Sequence, residues 1–412
     1  MIGGGAAGLV TAWLLDPVHD VTVIEGDARL GGHAHTLAVE IGGQKHTVDA
    51  GAHFFNERMQ PRLVALLRAL DVPLTAYPPS ATFHDRRDGW TVCLPPHGGL
   101  ARMAGLTELR SVRAMLGLRT LIRAAVPLVE GPGDASITVE EFIEPLEIPG
   151  PVRHEFIYAY LASYWGVSTE EVRTYSARNV TSYLVAMRPP VITPRPFLRV
   201  VGGMAAYIAR VVAGLGRATI VRGEPVLGLT RNGHHYTVEL EERRLGGFDR
   251  IVLATSAERA ATLMRDVAGT QEIRTTLQRV EYFDTTIAVH SDRSFMPPRR
   301  SQWSVVNSMF DGRHGALTNW EHGNHDVDLF RSWITHSDRT PEHLHAEVRY
   351  RHPRPNPAYF AAQRELARHQ GTAGIWHAGM HVTGFDHHDG AIASAYDVAT
   401  ALAPESPRLV VR

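Results

Sequence analysis

Residues 3–8 read Gly3-Gly4-Gly5-Ala6-Ala7-Gly8, a G-x-G-x-x-G at the start of the chain, and Glu25 follows Gly5 by 20 residues. Each part has a physical job. The first glycine permits a tight strand-to-helix turn, the second lets backbone approach a pyrophosphate, and the third allows close helix–strand packing. The apolar-rich run Val21-Thr22-Val23-Ile24 ends on Glu25, an acid placed to accept hydrogen bonds from a ribose. The helix predicted from Ala6 to about Leu15 turns its amide end to the phosphates. A strand should precede the glycines, yet only Met1 and Ile2 stand there. A central strand takes about five residues, so the sequence predicts a strand that begins upstream of Met1.

Composition narrows the rest. At 412 residues the chain is long enough for two domains. Its 44% apolar and 21% charged residues describe a globular protein, and a net charge of −1 gives no pull toward nucleic acid. Cys93 is the only cysteine, which excludes internal disulfides and cysteine metal clusters. It sits in a strand-like run, Trp90 to Leu94, and reads as a buried thiol. Neither a secretory signal nor an apolar run of about 18 residues is present, so the expected location is the cytoplasm. The arginine-studded stretch with Arg110, Arg113, Arg119 and Arg123 leaves a peripheral membrane contact open, with a solvated face weighted above it. Nothing in the sequence specifies an oligomeric state.

Periodicity predicts a hairpin of 36–41 and 44–48 around Gly42-Gly43 and a helix near 60–71 with Leu63, Leu66, Leu67 and Leu70 on one face. It predicts mostly helix from about 100 to 188, then a helix over 199–215 after the Pro-rich stretch 189–196. Strands are expected at 218–221, 236–240 and 250–253, short strands and turns over 278–335, and a closing helix from about 391 to 402.

Five segments carry a resemblance. They are Glu25 with Gly31-Gly32 and Thr36; Asp49-Ala50-Gly51-Ala52-His53; Gly202-Gly203-Met204; Gly223-Glu224-Pro225-Val226; and Gly379 through Asp389-Gly390-Ala391-Ile392. In this order they resemble the FAD-binding amine oxidase and phytoene desaturase superfamily. Gly31-Gly32-His33-Ala34-His35-Thr36, Phe55-Asn56-Glu57-Arg58 and Val289-His290-Ser291-Asp292 are similar to its branch of bacterial "predicted NAD/FAD-binding" proteins. The resemblance implies an α/β chain: a discontinuous Rossmann-like FAD-binding domain (1–85, 196–260 and 366–412) with an inserted α+β substrate-binding domain (86–195 and 261–365). It implies FAD as cofactor, held by Gly3, Gly5, Ala6, Ala7, Gly8, Glu25, Gly31, Gly32 and His33. Val226 is expected to pair with adenine through its backbone. Gly379, Asp389, Gly390, Ala391 and Ile392 are expected at the N1/O2 end of the flavin, where a helix N-terminus stabilises charge.

Two departures matter. His33 stands where the superfamily often has a phosphate-pairing arginine, so neutralisation falls to Arg58 or to backbone amides. The only lysine is Lys45, whereas many amine oxidases of the superfamily place a lysine near flavin N5. The expected chemistry is therefore hydride transfer from a substrate C–H to flavin N5, desaturating or isomerising a small hydrophobic, lipid-like or natural-product substrate. Phe54, Phe55, Trp303 and Trp320 are candidate cavity walls, and His53 and His290 candidate proton acceptors. An amine or amino-acid oxidase and a flavin-binding protein without turnover are the alternatives. Histidine clusters at 381–388 and at His322 and His325 match no metal signature, and no metal is expected.

Overall fold

The computed structural model describes residues 1–94, 108–188, 196–321 and 326–410. The Pro-rich stretch 189–195 and His322 and His325 lie outside the described residues.

A parallel sheet is assembled from distant pieces of chain. Thr22–Glu25 pairs with Thr219–Arg222, and Ile251–Leu253 pairs with Ile375–His377, both in parallel. Ile2 stands between the two pairs, bridged to Ile24 on one side and Leu253 on the other. Its N–H donates to Val252 O at 2.9 Å and its carbonyl accepts from Ala254 N at 2.7 Å. The ammonium of Met1 donates to Thr22 O at 2.8 Å.

Ala6–Leu15 is apolar almost all round, and every one of its residues is buried, as a helix enclosed on all sides must be. It packs against the closing helix His388–Leu402 and against Met204–Ala213. Leu9, Val10, Leu14, Tyr207, Val211, Ile392 and Val398 form that core. Pro61–Ala69 starts with proline at its first position, where no amide partner is lost. It turns Leu63, Val64, Leu66 and Leu67 inward.

The second body is a seven-stranded sheet in the order 344–353, 282–290, 330–333, 315–320, 306–310, 81–85, 91–94. All its pairs are antiparallel except 306–310 with 81–85. Ala81–Asp85, expected in the dinucleotide unit, thus lies in this sheet. Helices Leu109–Glu130, Tyr158–Ser163 and Ala177–Met187 cover it through Phe83, Trp90, Phe156, Leu161 and Val180. Among the elements not expected from sequence are the ten-residue strand Leu344–Pro353 and the helices Ala257–Leu263, Gln271–Leu277 and Pro357–Arg368. Cys93 lies in Thr91–Leu94 as expected but is only half-buried, with the Thr82 hydroxyl 3.6 Å from its sulfur.

Candidate functional site

A cavity of about 390 Å³ opens along the C-terminal edge of the parallel sheet, where ligands of open α/β sheets bind. Its wall draws on both chain ends and the middle: Gly3, Gly5, Ala6, Ala7, Glu25, Gly32, His33, Val226, Gly379 and Ala391 all line it.

Glycine identity here follows from close approach. A Cβ on Gly3 (φ +105°) would meet Ala254 O at 2.4 Å, and one on Gly8 would meet Gly3 O at 1.9 Å. Gly31 (φ +109°) bridges to Gly5, and its N–H donates to Gly4 O at 2.8 Å. That bond ties the second glycine pair to the first. Gly5 is different. A Cβ there would find only Gly32 Cα, at 3.9 Å, and its φ of −73° suits any residue. The protein's own packing does not demand glycine at Gly5. The demand comes from the cavity side, as expected where backbone must touch a pyrophosphate. The helix start beside it has no side-chain cap and no acid in its first turn, leaving amides aimed at an anion site. This cradle fits the dinucleotide of FAD.

Glu25 is held from both sides: Gly4 N donates to Oε2 at 2.6 Å and Asp27 N to Oε1 at 2.9 Å. The carboxylate is thereby fixed at the cavity wall with lone pairs left for ribose hydroxyls. Val226 is buried at the wall, and its carbonyl accepts from the Arg259 guanidinium, so adenine recognition through that oxygen competes with Arg259. Arg58 does not serve the phosphates. It pairs with Glu130 at a separate cavity, whereas Arg259 and Arg351 are the guanidinium groups on the dinucleotide cavity.

His33 stacks on Tyr350 with ring centroids 4.7 Å apart. Burial, helped by Arg29 and His35, pushes its pKa down to about 4. It is therefore a neutral wall, not a substitute cation. The same holds for His381 and His388, which also line the cavity. Burial lowers them to about 4 and about 3, and His388 meets the Tyr207 hydroxyl at 2.6 Å. The sequence suggests these two only as metal ligands, and weakly. Among the described residues no group of three His, Cys, Asp or Glu side chains converges on a metal position.

At the closing helix several expected contacts are redistributed. The helix begins at His388, so Asp389 and Gly390 lie inside its first turn. Asp389 Oδ1 accepts from Leu63 N at 2.8 Å and caps the helix Pro61–Ala69 instead of preceding a turn at the flavin. Gly390 N donates to His387 O at 2.9 Å, and a Cβ on Gly390 would meet Phe385 O at 2.5 Å. Ile392 belongs to the apolar core. Gly379 is tied to this helix, its N–H donating to Ser394 Oγ at 2.7 Å.

The two candidate bases differ. His53 Nδ1 meets Gly51 O at 3.1 Å. A carbonyl can only accept, so Nδ1 carries the hydrogen and Nε2 keeps its lone pair. Burial, then Arg331, hold the pKa well below the usual range against hydrogen bonds to Gly51 and Asn319, and His53 lines a small separate pocket with Asp49, Tyr77 and Glu321. The segment is fixed by Ala52 N to His33 O at 3.1 Å and by Arg331 Nε to Ala50 O at 2.9 Å. His290 is held on both ring nitrogens. Its Nδ1 accepts from Asp292 N at 3.1 Å, its Nε2 meets Ser332 Oγ at 2.8 Å, and it lies off the cavity. With both nitrogens occupied inside the large sheet, His290 is a structural residue.

A second cavity, about 200 Å³, is lined by Met59, Val185, Ala186, Tyr183, Phe385 and His387, with Arg58 and Glu130 at its rim. The expected aromatic walls do not form it. Phe55 packs in the core under the first helix, and Phe54 packs on Phe197 at 4.7 Å. Trp303 and Trp320 pair edge to face at 5.2 Å beside Phe330. Their spacing in sequence carries no information about which side of the sheet they face.

Sequence and structure comparisons agree with this geometry. The family model for flavin-containing amine oxidoreductases matches residues 6–291, well over half the chain. A search of curated proteins finds no match. Among solved structures, the CLA-producing fatty acid isomerase from P. acnes superposes with a TM-score of 0.69 at 14% identity, covering 98% of this chain and 97% of the other. Cyclohexylamine oxidase from Brevibacterium oxydans IH-35A gives 0.67 at 17% identity, and wild-type putrescine oxidase bound to putrescine gives 0.67 at 14% identity. Both cover 98% of each chain. No helix among the described residues is long and apolar enough to cross a membrane. With a glycine cradle that fits a dinucleotide and a family match over most of its length, this chain belongs to the flavin-containing amine oxidoreductase family and is an FAD-dependent oxidoreductase.

Proposed function

We propose that the substrate is a small apolar molecule that loses hydride from a C–H bond and is desaturated or isomerised. The second cavity carries this reading. Its walls include Met59, Val129, Val185, Ala186, Tyr183 and Phe385, with Ser182 and the Arg58–Glu130 pair beside them, a largely apolar surface that binds hydrocarbon through area removed from water. It reaches inward to His387, whose chain neighbour His388 lines the dinucleotide cavity. Bound FAD supplies the hydride acceptor. The chain's own residues orient the substrate between Met59, Tyr183 and Phe385 and keep water out. A neighbouring carbon of the substrate loses a proton in the same step. For an isomerisation, the same proton and hydride return to different carbons.

Absence of lysine supports an apolar substrate over an amine. Lys45 is exposed in the hairpin 36–49, away from both cavities. Amine oxidation remains the second reading, favoured by the family match and by neighbours named for putrescine and cyclohexylamine. The deciding experiment uses purified protein, which is expected to be yellow and to release FAD on denaturation. Mixed anaerobically with unsaturated and saturated hydrocarbon-chain compounds, the flavin band should bleach, or for an isomerisation the product double bond should shift. Hydrogen peroxide release on amine addition, with no response to apolar compounds, would overturn the reading.

A further inference from the structure

The helix Leu109–Glu130 has one buried and one exposed side. Ser111, Ala114, Gly117, Leu121 and Ala125 are its buried side, and the helix packs against Ala177–Met187 and the helical stretch 150–157. At Gly117 the helix packs so closely that an added Cβ would meet Val152 Cγ1 at 2.8 Å, so the buried side is fixed. The opposite side is not polar. Leu109 is 60% exposed, Val112 39% and Leu116 57%, three of the six large hydrophobic residues exposed among the described residues. Positions 109, 112 and 116 fall on one face at helical spacing. Arg113, Arg119 and Arg123 are exposed on the same face and form no ion pair among the described residues. Arg110, by contrast, is tied to Asp88 and Glu155 and sits 4.2 Å over the Trp90 ring. From Leu109 to Val129 the helix contains no acid.

An ordinary solvated helix face mixes charge signs and hides leucine. This one pairs unpartnered cations with exposed leucine and valine, the composition of a helix lying in a lipid headgroup layer. Its far end reaches the site: Val129 and Glu130 line the second cavity. We infer that the face of Leu109, Val112, Leu116, Arg113, Arg119 and Arg123 docks on an anionic membrane surface and sets the rim of the second cavity against lipid. Docking gives an apolar substrate a route from the bilayer that avoids water. This inference adds to the proposed function but is tested without a substrate.

The FAD-loaded protein is mixed with vesicles of phosphatidylcholine alone or with 30% phosphatidylglycerol and separated by flotation. Binding to the anionic vesicles is expected, weakened by 0.5 M salt. The double variant Arg119→Glu/Arg123→Glu should bind at least about 100-fold more weakly, given the electrostatic contribution of each arginine near an anionic surface. Leu109→Ser/Leu116→Ser should weaken binding even at low salt. All four side chains are exposed, so flavin content and melting temperature should match the parent in both variants. No flotation with anionic vesicles, or flotation indifferent to the charge reversal, overturns the inference. So does a dimer in light scattering that the leucine variant dissociates, since the face would then be covered by a second copy.

Discussion

At the scale of single residues, the two kinds of glycine in the opening motif make opposite predictions. Gly8 is required by the fold, because its Cβ would lie 1.9 Å from Gly3 O. Gly8→Ala should cost about 3 kcal/mol or more and leave little folded protein. Gly5 is required by the ligand alone. Gly5→Ala should shift the melting temperature of the FAD-free protein by no more than about 2 °C and weaken FAD binding by at least about 100-fold. Fluorescence titration with FAD checks the second number; equal losses for the two variants would refute the distinction. These glycines were legible in sequence because backbone contact leaves a mark that side chains cannot replace. The roles of Arg259, His381 and His388 were not legible. Each is an unremarkable residue in sequence and reaches the cavity only because three distant segments meet there. His290 failed for the mirror reason: its neighbourhood in the sheet, not its type, occupies both nitrogens.

At the scale of elements, separate motifs turn out to be one structural device. Asp49 Oδ1 accepts from Met204 N at 2.8 Å and from the Thr36 hydroxyl at 2.5 Å, while Thr36 Oγ1 accepts from Ala205 N at 2.8 Å. The acid of one motif and the threonine of another thus cap the helix Met204–Ala213 of a third. Gly203 must be glycine because a Cβ would meet Asp49 Oδ1 at 2.8 Å. Burial raises Asp49 to about 6, and its hydrogen bonds pull the other way, so a neutral acceptor serves nearly as well. Asp49→Ala should destabilise by about 1–2 kcal/mol in chemical denaturation, and Asp49→Asn by less than about half of that. A larger loss for Asn than for Ala would exclude capping as the role. Motif order predicted these parts, but their mutual contacts needed the fold. The strand Leu344–Pro353 escaped sequence reading because it is an edge strand. Its half-buried Ala346, Val348 and Tyr350 alternate with exposed Glu347, Arg349 and Arg351, a short stripe whose outward charges guard the edge against pairing.

For the whole molecule, enclosing so many imidazoles ties stability to pH. Burial holds His33, His290, His381 and His387 to about 4, and His377 and His388 to about 3. In the unfolded chain each would titrate near 6.5. The folded state therefore takes up these protons later than the unfolded state. The stability they contribute is complete above pH 6.5 and is lost as pH falls toward 4. Asp49 and Asp386, raised to about 6 by burial, act in the opposite sense. Their contribution is present at low pH and is lost as pH rises through 6. The imidazoles outnumber the two acids and decide the sign. Each proton bound by the unfolded chain alone changes stability by about 1.4 kcal/mol per pH step of one. The melting temperature of the FAD-loaded protein should fall by at least about 5 °C between pH 7 and pH 5.5 and stay level between pH 7 and pH 8. His381 and His388 line the dinucleotide cavity and stay neutral there down to about pH 4, so below the melting transition free-flavin fluorescence should not rise between pH 7 and pH 5.5. A melting temperature that holds steady down to pH 5 would mean that these imidazoles reach solvent in the folded state.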